Sequence, residues 1–340
     1  MSEQLRPLKL GEILDRTAQL YRRNFLTFAG TAAAPTAITV VVIAGAGAAG
    51  AGLGRQVSAT NPLGLPVLLL ILLLLIGIPL ILGAAVVSQA ALTRAAVGAH
   101  MGQPLKILAA LRSVWPRFWR YLWLLILQGI VVAGIPCAII VGLIALISGL
   151  GVFTAGSAAL AALIGFFTFV IFAAAFVYVV LSALRIAMSL AVCVVEDKPA
   201  WDSIKRAASL SKGARGRIFV MFLLVWALSV ALSMIGYIPT ALIVGIAAAA
   251  GQGNHYAAIA AVVGEIVNIL LNFAMQTLIM PVYVTALVLF YYDQRVRTEG
   301  YDIEWMMEQA GLTGHEPGSG DAQTAVIFGP PTTPDTLKEL

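Results

Sequence analysis

"RPLKLGEILDRTAQLYRRNF" occupies residues 6–25 and decides how the chain is read, because its plan returns twice. "QPLKILAALRSVWPRFWRY" at 103–121 and "KPAWDSIKRAASLSKGARGRIF" at 198–219 also open on proline and run through a basic amphipathic stretch. Each leads into a long apolar helix carrying a second proline: "PTAITV" from Pro35, "PCAIIV" from Pro136 and "PTALIV" from Pro239. The opening prolines Pro7, Pro104 and Pro199 are 97 and 95 residues apart, and the inner ones 101 and 103. Two landmarks at nearly one period predict an internal repeat.

The composition sets the solvent. Of 340 residues, 60% are hydrophobic and 11% charged, against roughly 25% charged in soluble domains. Six apolar runs exceed the roughly 20 residues a spanning helix needs. Spans are expected at about 25–49, 66–92, 121–147, 158–184, from 218, and up to the Tyr291–Tyr292 pair. Residues 186–195 are too few to cross again and read as the same helix running on, or as a buried segment. Pro79 predicts a kink in the second span, Pro116 a helix break near the entry to the third, and 302–311 a short helix. Glu3, Glu12 and Asp15 argue against a cleavable leader. Cys137 and Cys193 are expected to stay unpaired.

Residues 8–25 read as an amphipathic helix, with Leu10, Ile13, Leu14, Thr17, Tyr21 and Phe25 on one face and Glu12, Asp15, Arg16, Gln19, Arg22 and Arg23 on the other. Such a helix lies in the membrane interface. Glu12–Arg16 and Asp202–Arg206 are spaced to pair. Gly45, Gly47 and Gly50 match G-x-G-x-x-G, but in a glycine-rich link after an apolar helix, so no dinucleotide site is expected. Of 21 Lys and Arg, only Arg55 falls in a predicted outer loop, and the positive-inside rule then puts both termini in the cytoplasm.

The expected fold is therefore all-α and integral to a membrane. Six transmembrane helices form three tandem hairpin repeats, each preceded by a cytoplasmic amphipathic interfacial helix. The repeats cover about 6–102, 103–197 and 198–310 of a membrane domain at 1–310, and 311–340 form a disordered cytoplasmic tail.

Chemistry is sparse. His100, His255 and His315 fall on two loops and the tail with no ligand cluster, so neither metal nor cofactor is expected. No nucleophile–base pair stands at a recognisable spacing. Of 16 Asp and Glu, only Glu265 falls in a span; Asn268, Asn272 and Gln276 share its helical face. Two readings of this polar face stand: interhelical hydrogen bonding, or a pathway or binding site. Pro35, Pro136 and Pro239 are candidate kinks, as inherited shape or as hinges. Arg23, Arg120, Lys212, Arg215 and Arg217 are candidate contacts to lipid phosphate.

Three stretches, "LRPLKLGEILDRTAQLYRRNF" (5–25), "VVEDKPAWDSIKRAASLSKGARGRIF" (194–219) and "LFYYDQRVRTEGYDIEWM" (289–306), resemble bacterial proteins of the glycerophosphodiester phosphodiesterase membrane-domain family. The resemblance covers roughly residues 5–310. It implies a multi-pass protein of the bacterial plasma membrane. The metal-binding catalytic domain that follows this region in some members has no counterpart here, so no catalytic residue carries over. The leading expectation is a non-enzymatic scaffold or accessory subunit with a basic cytoplasmic face. Its partners would be anionic membrane lipids and a membrane or cytoplasmic protein, with no nucleic acid. The alternative is a transporter or lipid-handling protein using the polar face of the last span.

Overall fold

The computed structural model describes residues 8–54, 65–103, 106–151, 158–249 and 255–300. These are helical almost throughout: α1 (Leu10–Arg23), α2 (Phe25–Gly54), α3 (Leu65–His100), α4 (Ile107–Val114), α5 (Phe118–Gly129), α6 (Ile135–Gly151), α7 (Ala158–Ile186), α8 (Ser189–Val195), α9 (Ala200–Leu210), α10 (Arg215–Ala249) and α11 (His255–Glu299). Six segments are long and apolar enough to cross a membrane: α2, α3, α4 through α6, α7 with α8, α10 and α11. Helices α1 and α9 do not span. The chain is an integral, multi-span α-helical membrane protein. Large apolar side chains such as Leu75, Phe169, Phe176 and Leu242 stand exposed, as only lipid permits. The helix and tail expected beyond residue 300 lie outside the described residues.

Several elements depart from expectation for local reasons. Helix α2 continues through Gly45 to Gly54, where a link was expected; glycine and alanine are common in membrane helices. Helix α3 runs on past Leu92 to His100. It stops in a Schellman turn: Gly102 takes φ +76°, its N–H donates to the Ala99 carbonyl, and the Gln103 N–H donates to Gly98. His100 is thus in a last helical turn, its ring 5.0 Å from that of Tyr292, and not on a loop. Pro116 produces a 3-10 turn, Trp115–Arg117, between α4 and α5. Helix α10 passes through Pro239 without a break. Residues 186–195 follow the buried-segment reading: the chain turns at Ala187–Met188, and α8 buries Ser189, Ala191, Val192 and Cys193.

Helix α11 is central. It packs on α10, α2, α3 and α1 and touches α8 and α9. Half of its apolar window is buried within the protein, against none of the α7 window. At 45 residues it is about 68 Å long, more than twice a hydrocarbon core of about 30 Å. One end must stand clear of the lipid, and the charged elements gather around that end. Close approach between the helices is tightest at small residues. A Cβ on Gly77 of α3 would lie 3.0 Å from Val42 Cγ1 on α2.

At this charged end the Asp293 side chain is fully buried. It accepts the Leu8 backbone N–H at 2.7 Å and pairs with Arg217 Nη2 and Arg297 Nε, each at 3.0 Å. The same two arginines donate to the Leu8 carbonyl, at 2.9 and 2.7 Å. Arg217 also lies over the Phe290 ring, 5.3 Å from its centroid. The segment ahead of α1 is thereby clasped between the start of α10 and the end of α11. Removing one partner of a buried ion pair costs roughly 3–5 kcal/mol. Asp293→Ala is expected to lower thermal stability in detergent by about that amount, whereas Asp202→Ala, on an exposed pair 3.8 Å from Lys205, should change it by less than about 1 kcal/mol. Thermal unfolding of the two variants beside wild type checks the contrast.

Candidate functional site: a cavity beneath a charged rim

The rim continues away from Asp293 through two acids at the α8–α9 corner. Glu196 pairs with Lys198 and Arg206 and accepts the Tyr291 hydroxyl at 2.8 Å. Arg206 reaches on to Glu299, and not to Asp202 as its spacing suggested. Asp197 takes φ +52°, a left-handed conformation uncommon outside glycine but tolerated by Asp. Arg117 and Arg120 both pair with its carboxylate, and Arg120 also donates to its carbonyl at 2.8 Å. Two arginines from the turn into α5 thus hold the corner that precedes α9.

Below this rim lies a cavity of about 480 Å³, within the roughly 300–1,000 Å³ of small-molecule sites. Leu82, Gln89 and Thr93 of α3, Leu125 and Gln128 of α5, and Phe222 of α10 contribute to its wall. Tyr283, Val284, Leu287 and Val288 of α11 close it on one side. Gly129, Ala183, Leu190 and Ala191 also line it, and part of the wall lies at two places where the backbone leaves the α-helical path. One is a π-helical turn, Ile130–Gly134, placing Val132 and Ala133 on the wall. The other is the turn between α7 and α8, placing Ile186 and Ala187 there.

Both departures have identifiable causes. Pro136 has no N–H, so neither the Val132 carbonyl (α register) nor the Val131 carbonyl (π register) finds its donor there. The Tyr178 hydroxyl of α7 supplies one to Val131, at 3.0 Å. At the second break the Ser189 hydroxyl donates to the Ile186 carbonyl at 2.7 Å and accepts from Gln128 Nε2. Non-helical backbone at membrane depth is tolerated where it is buried or lines a cavity, and discontinuous helices mark the binding sites of many transporters.

None of the residues singled out from sequence lines this cavity. Glu265, Asn272 and Gln276 are exposed and Asn268 half-exposed; Asn272 Nδ2 donates to the Asn268 side-chain oxygen at 2.6 Å. Positions 265, 272, 276, 283 and 287 are spaced seven and four apart in alternation, so the polar face of α11 leads down the same side of the helix to Tyr283 and Leu287 in the cavity. Pro281, buried between them, was not singled out from sequence. Of the candidate kinks, Pro136 alone adjoins the cavity wall; Pro35 is buried inside α2 and Pro239 exposed on α10. Among the candidate phosphate contacts, Arg23 and Lys212 are exposed and Arg215 half-buried. Arg120 and Arg217 turn to Asp197 and Asp293.

Sequence reasoning missed Gln89, Thr93, Gln128 and Tyr283. The signal was present: Gln89 and Gln128 are isolated carboxamides in apolar runs, and polar groups in a span face the bundle interior. Among the described residues there is no group of three His, Cys, Asp or Glu arranged to hold a metal. Fold and site together define a polytopic helical membrane protein with a polar-footed cavity at the junction of its spans. No family model matches the chain, and neither the curated proteins nor the solved structures compared with it give a match.

Burial alone would raise the Glu196 carboxyl. Hydrogen bonds from Lys198 and Tyr291 and the charge of Arg206 outweigh it and hold the group below its ordinary 4.5. A folded value below the unfolded one means that the stabilisation is complete above about pH 4.5 and fades as pH falls through the folded value. Glu196→Gln should therefore flatten the fall in melting temperature on acidification below about pH 4.5, read from melting curves across pH 3–6.

Proposed function

We propose that the protein is a non-enzymatic, amphiphile-handling membrane protein that binds a lipid-like molecule in the cavity beneath the rim. The observation that carries this reading is the convergence of two backbone breaks, at 130–134 and 187–188, on one cavity with polar groups among apolar walls. A structural bundle gains nothing from such breaks, which give up regular helical hydrogen bonds. The polar face of α11 supports movement as well as binding, since a headgroup can pass along Asn272 and Gln276 toward Tyr283 while its chains stay in lipid.

The scaffold reading draws on the basic face. Much of that face is engaged within the chain: Arg117, Arg120, Arg206, Arg217 and Arg297 all pair with carboxylates. This favours lipid handling over docking as the main role. Within the same proposal, the six spans derive from three repeated hairpins, and the rim faces the cytoplasm of a bacterial plasma membrane. Anionic lipid meets the exposed Arg23 and Lys212 there, and a role in handling lipid is in keeping with the resemblance to glycerophosphodiester phosphodiesterase membrane domains.

Ala187→Trp and Ala133→Phe fill the cavity from its two irregular walls. Each is expected to cut the amphiphile retained on extraction into native lipid discs by about tenfold or more, seen by mass spectrometry, with helical content unchanged. Asn272→Leu/Gln276→Leu should slow exchange of a bound fluorescent lipid while leaving the amount retained at equilibrium the same. Retention indifferent to both cavity-filling variants would sink the proposal.

A further inference from the structure

We infer that the cavity takes an amphiphile with an uncharged, hydrogen-bonding headgroup, of the kind a diacylglycerol presents, and rejects phosphate-headed lipids. This rests on the cavity being the ligand site proposed above. Its polar groups are two carboxamides, Gln89 and Gln128, and two hydroxyls, Thr93 and Tyr283. Carboxamides and hydroxyls both donate and accept, and so match hydroxyl and ester groups without supplying charge. Thr93 donates its proton to the Gln89 backbone carbonyl at 2.7 Å, which leaves its oxygen an acceptor for a ligand hydroxyl. Gln128 gives one N–H to Ser189, which leaves its oxygen and second N–H for the ligand.

No charged side chain lines the cavity, and the cations around it are directed elsewhere. Arg94 follows Thr93 in the chain but does not line the cavity: its Nη2 donates to the Tyr121 hydroxyl at 2.9 Å, while its buried Nε has no hydrogen-bond partner among the described residues. Arg185, between the wall residues Ala183 and Ile186, is exposed. The rim arginines face Asp197, Glu196 and Asp293. A phosphate drawn into this space would be desolvated without a counter-ion, a state that proteins avoid. The approach selects in the same sense, because Glu265 stands at the head of the polar face of α11 and repels anions. Leu82, Leu125, Phe222 and Leu287 supply apolar wall for the chains.

The test compares two probes with the same acyl chains, dioleoylglycerol and dioleoyl phosphatidic acid, bound to delipidated full-length protein in detergent. Wild type is expected to hold the diacylglycerol at least roughly tenfold more tightly. Gln89→Leu, which removes a headgroup partner, should weaken that binding by roughly tenfold. Gln89→Arg, which adds the missing cation, should reverse the preference. Equal or tighter phosphatidic acid binding by wild type, abolished by Ala187→Trp, would overturn the uncharged-headgroup assignment while the cavity stands as the ligand site. Binding of neither probe, or binding untouched by Ala187→Trp, would overturn the cavity reading and this assignment with it.

Discussion

A carboxylate buried to the last atom, Asp293, is the constraint around which the charged end is arranged. A charge withdrawn from water demands compensation on every side, and here the compensation comes from two distant parts of the chain and from the next turn of the same helix. Leu8 brings a backbone amide, Arg217 arrives at the start of α10, and Arg297 stands one turn further along α11. Because both arginines also hold the Leu8 carbonyl, the position of α1 is set by hydrogen bonds, which specify geometry more narrowly than apolar packing. The Glu196 and Asp197 pairs extend the same principle across α9 and the turn into α5. Apolar contact between spans has little driving force in lipid. Polar closure at one end supplies order that the hydrocarbon does not.

With one end fixed, the interior can depart from regular helix. The π-helical turn before Pro136 and the turn before α8 each release carbonyls, and each is answered by a hydroxyl, from Tyr178 or Ser189. These partners lie on elements that the rim holds in register. The cavity is thus a product of the rim as much as of its own lining. A shift of α8 against α5 would separate Ser189 from Gln128 and expose the Ile186 carbonyl to lipid.

What the sequence revealed and what it concealed follow from the range of the interactions. Spans, the proline at the 3-10 turn and the crossing count come from local composition and were legible. The Gly45–Gly54 stretch was misjudged because glycine signals a link in water and is tolerated in a helix in lipid. Arg206 was paired with Asp202 because only neighbours along a helix are visible in one dimension; its partners, Glu196 and Glu299, come from a preceding corner and a different helix. Leu8 and Asp293 are 285 positions apart, and no periodicity links them. Yet the three stretches that looked most distinctive, 5–25, 194–219 and 289–306, contain Leu8, Glu196 with Arg217, and Asp293 with Arg297. Their character reflects a junction in space. Gln89 and Gln128 were readable as polar intrusions, but that they face each other's cavity required the fold.

The clasp also fixes an order of assembly. The residue that holds Leu8 follows it by 285 positions, so α1 must wait through the synthesis of the helices between them before it can dock. Until then Arg217 has no carboxylate to meet and the α1 segment lies undocked. A chain cut short before Asp293 therefore exposes an unmatched guanidinium and an undocked α1, features by which membrane quality control can recognise it.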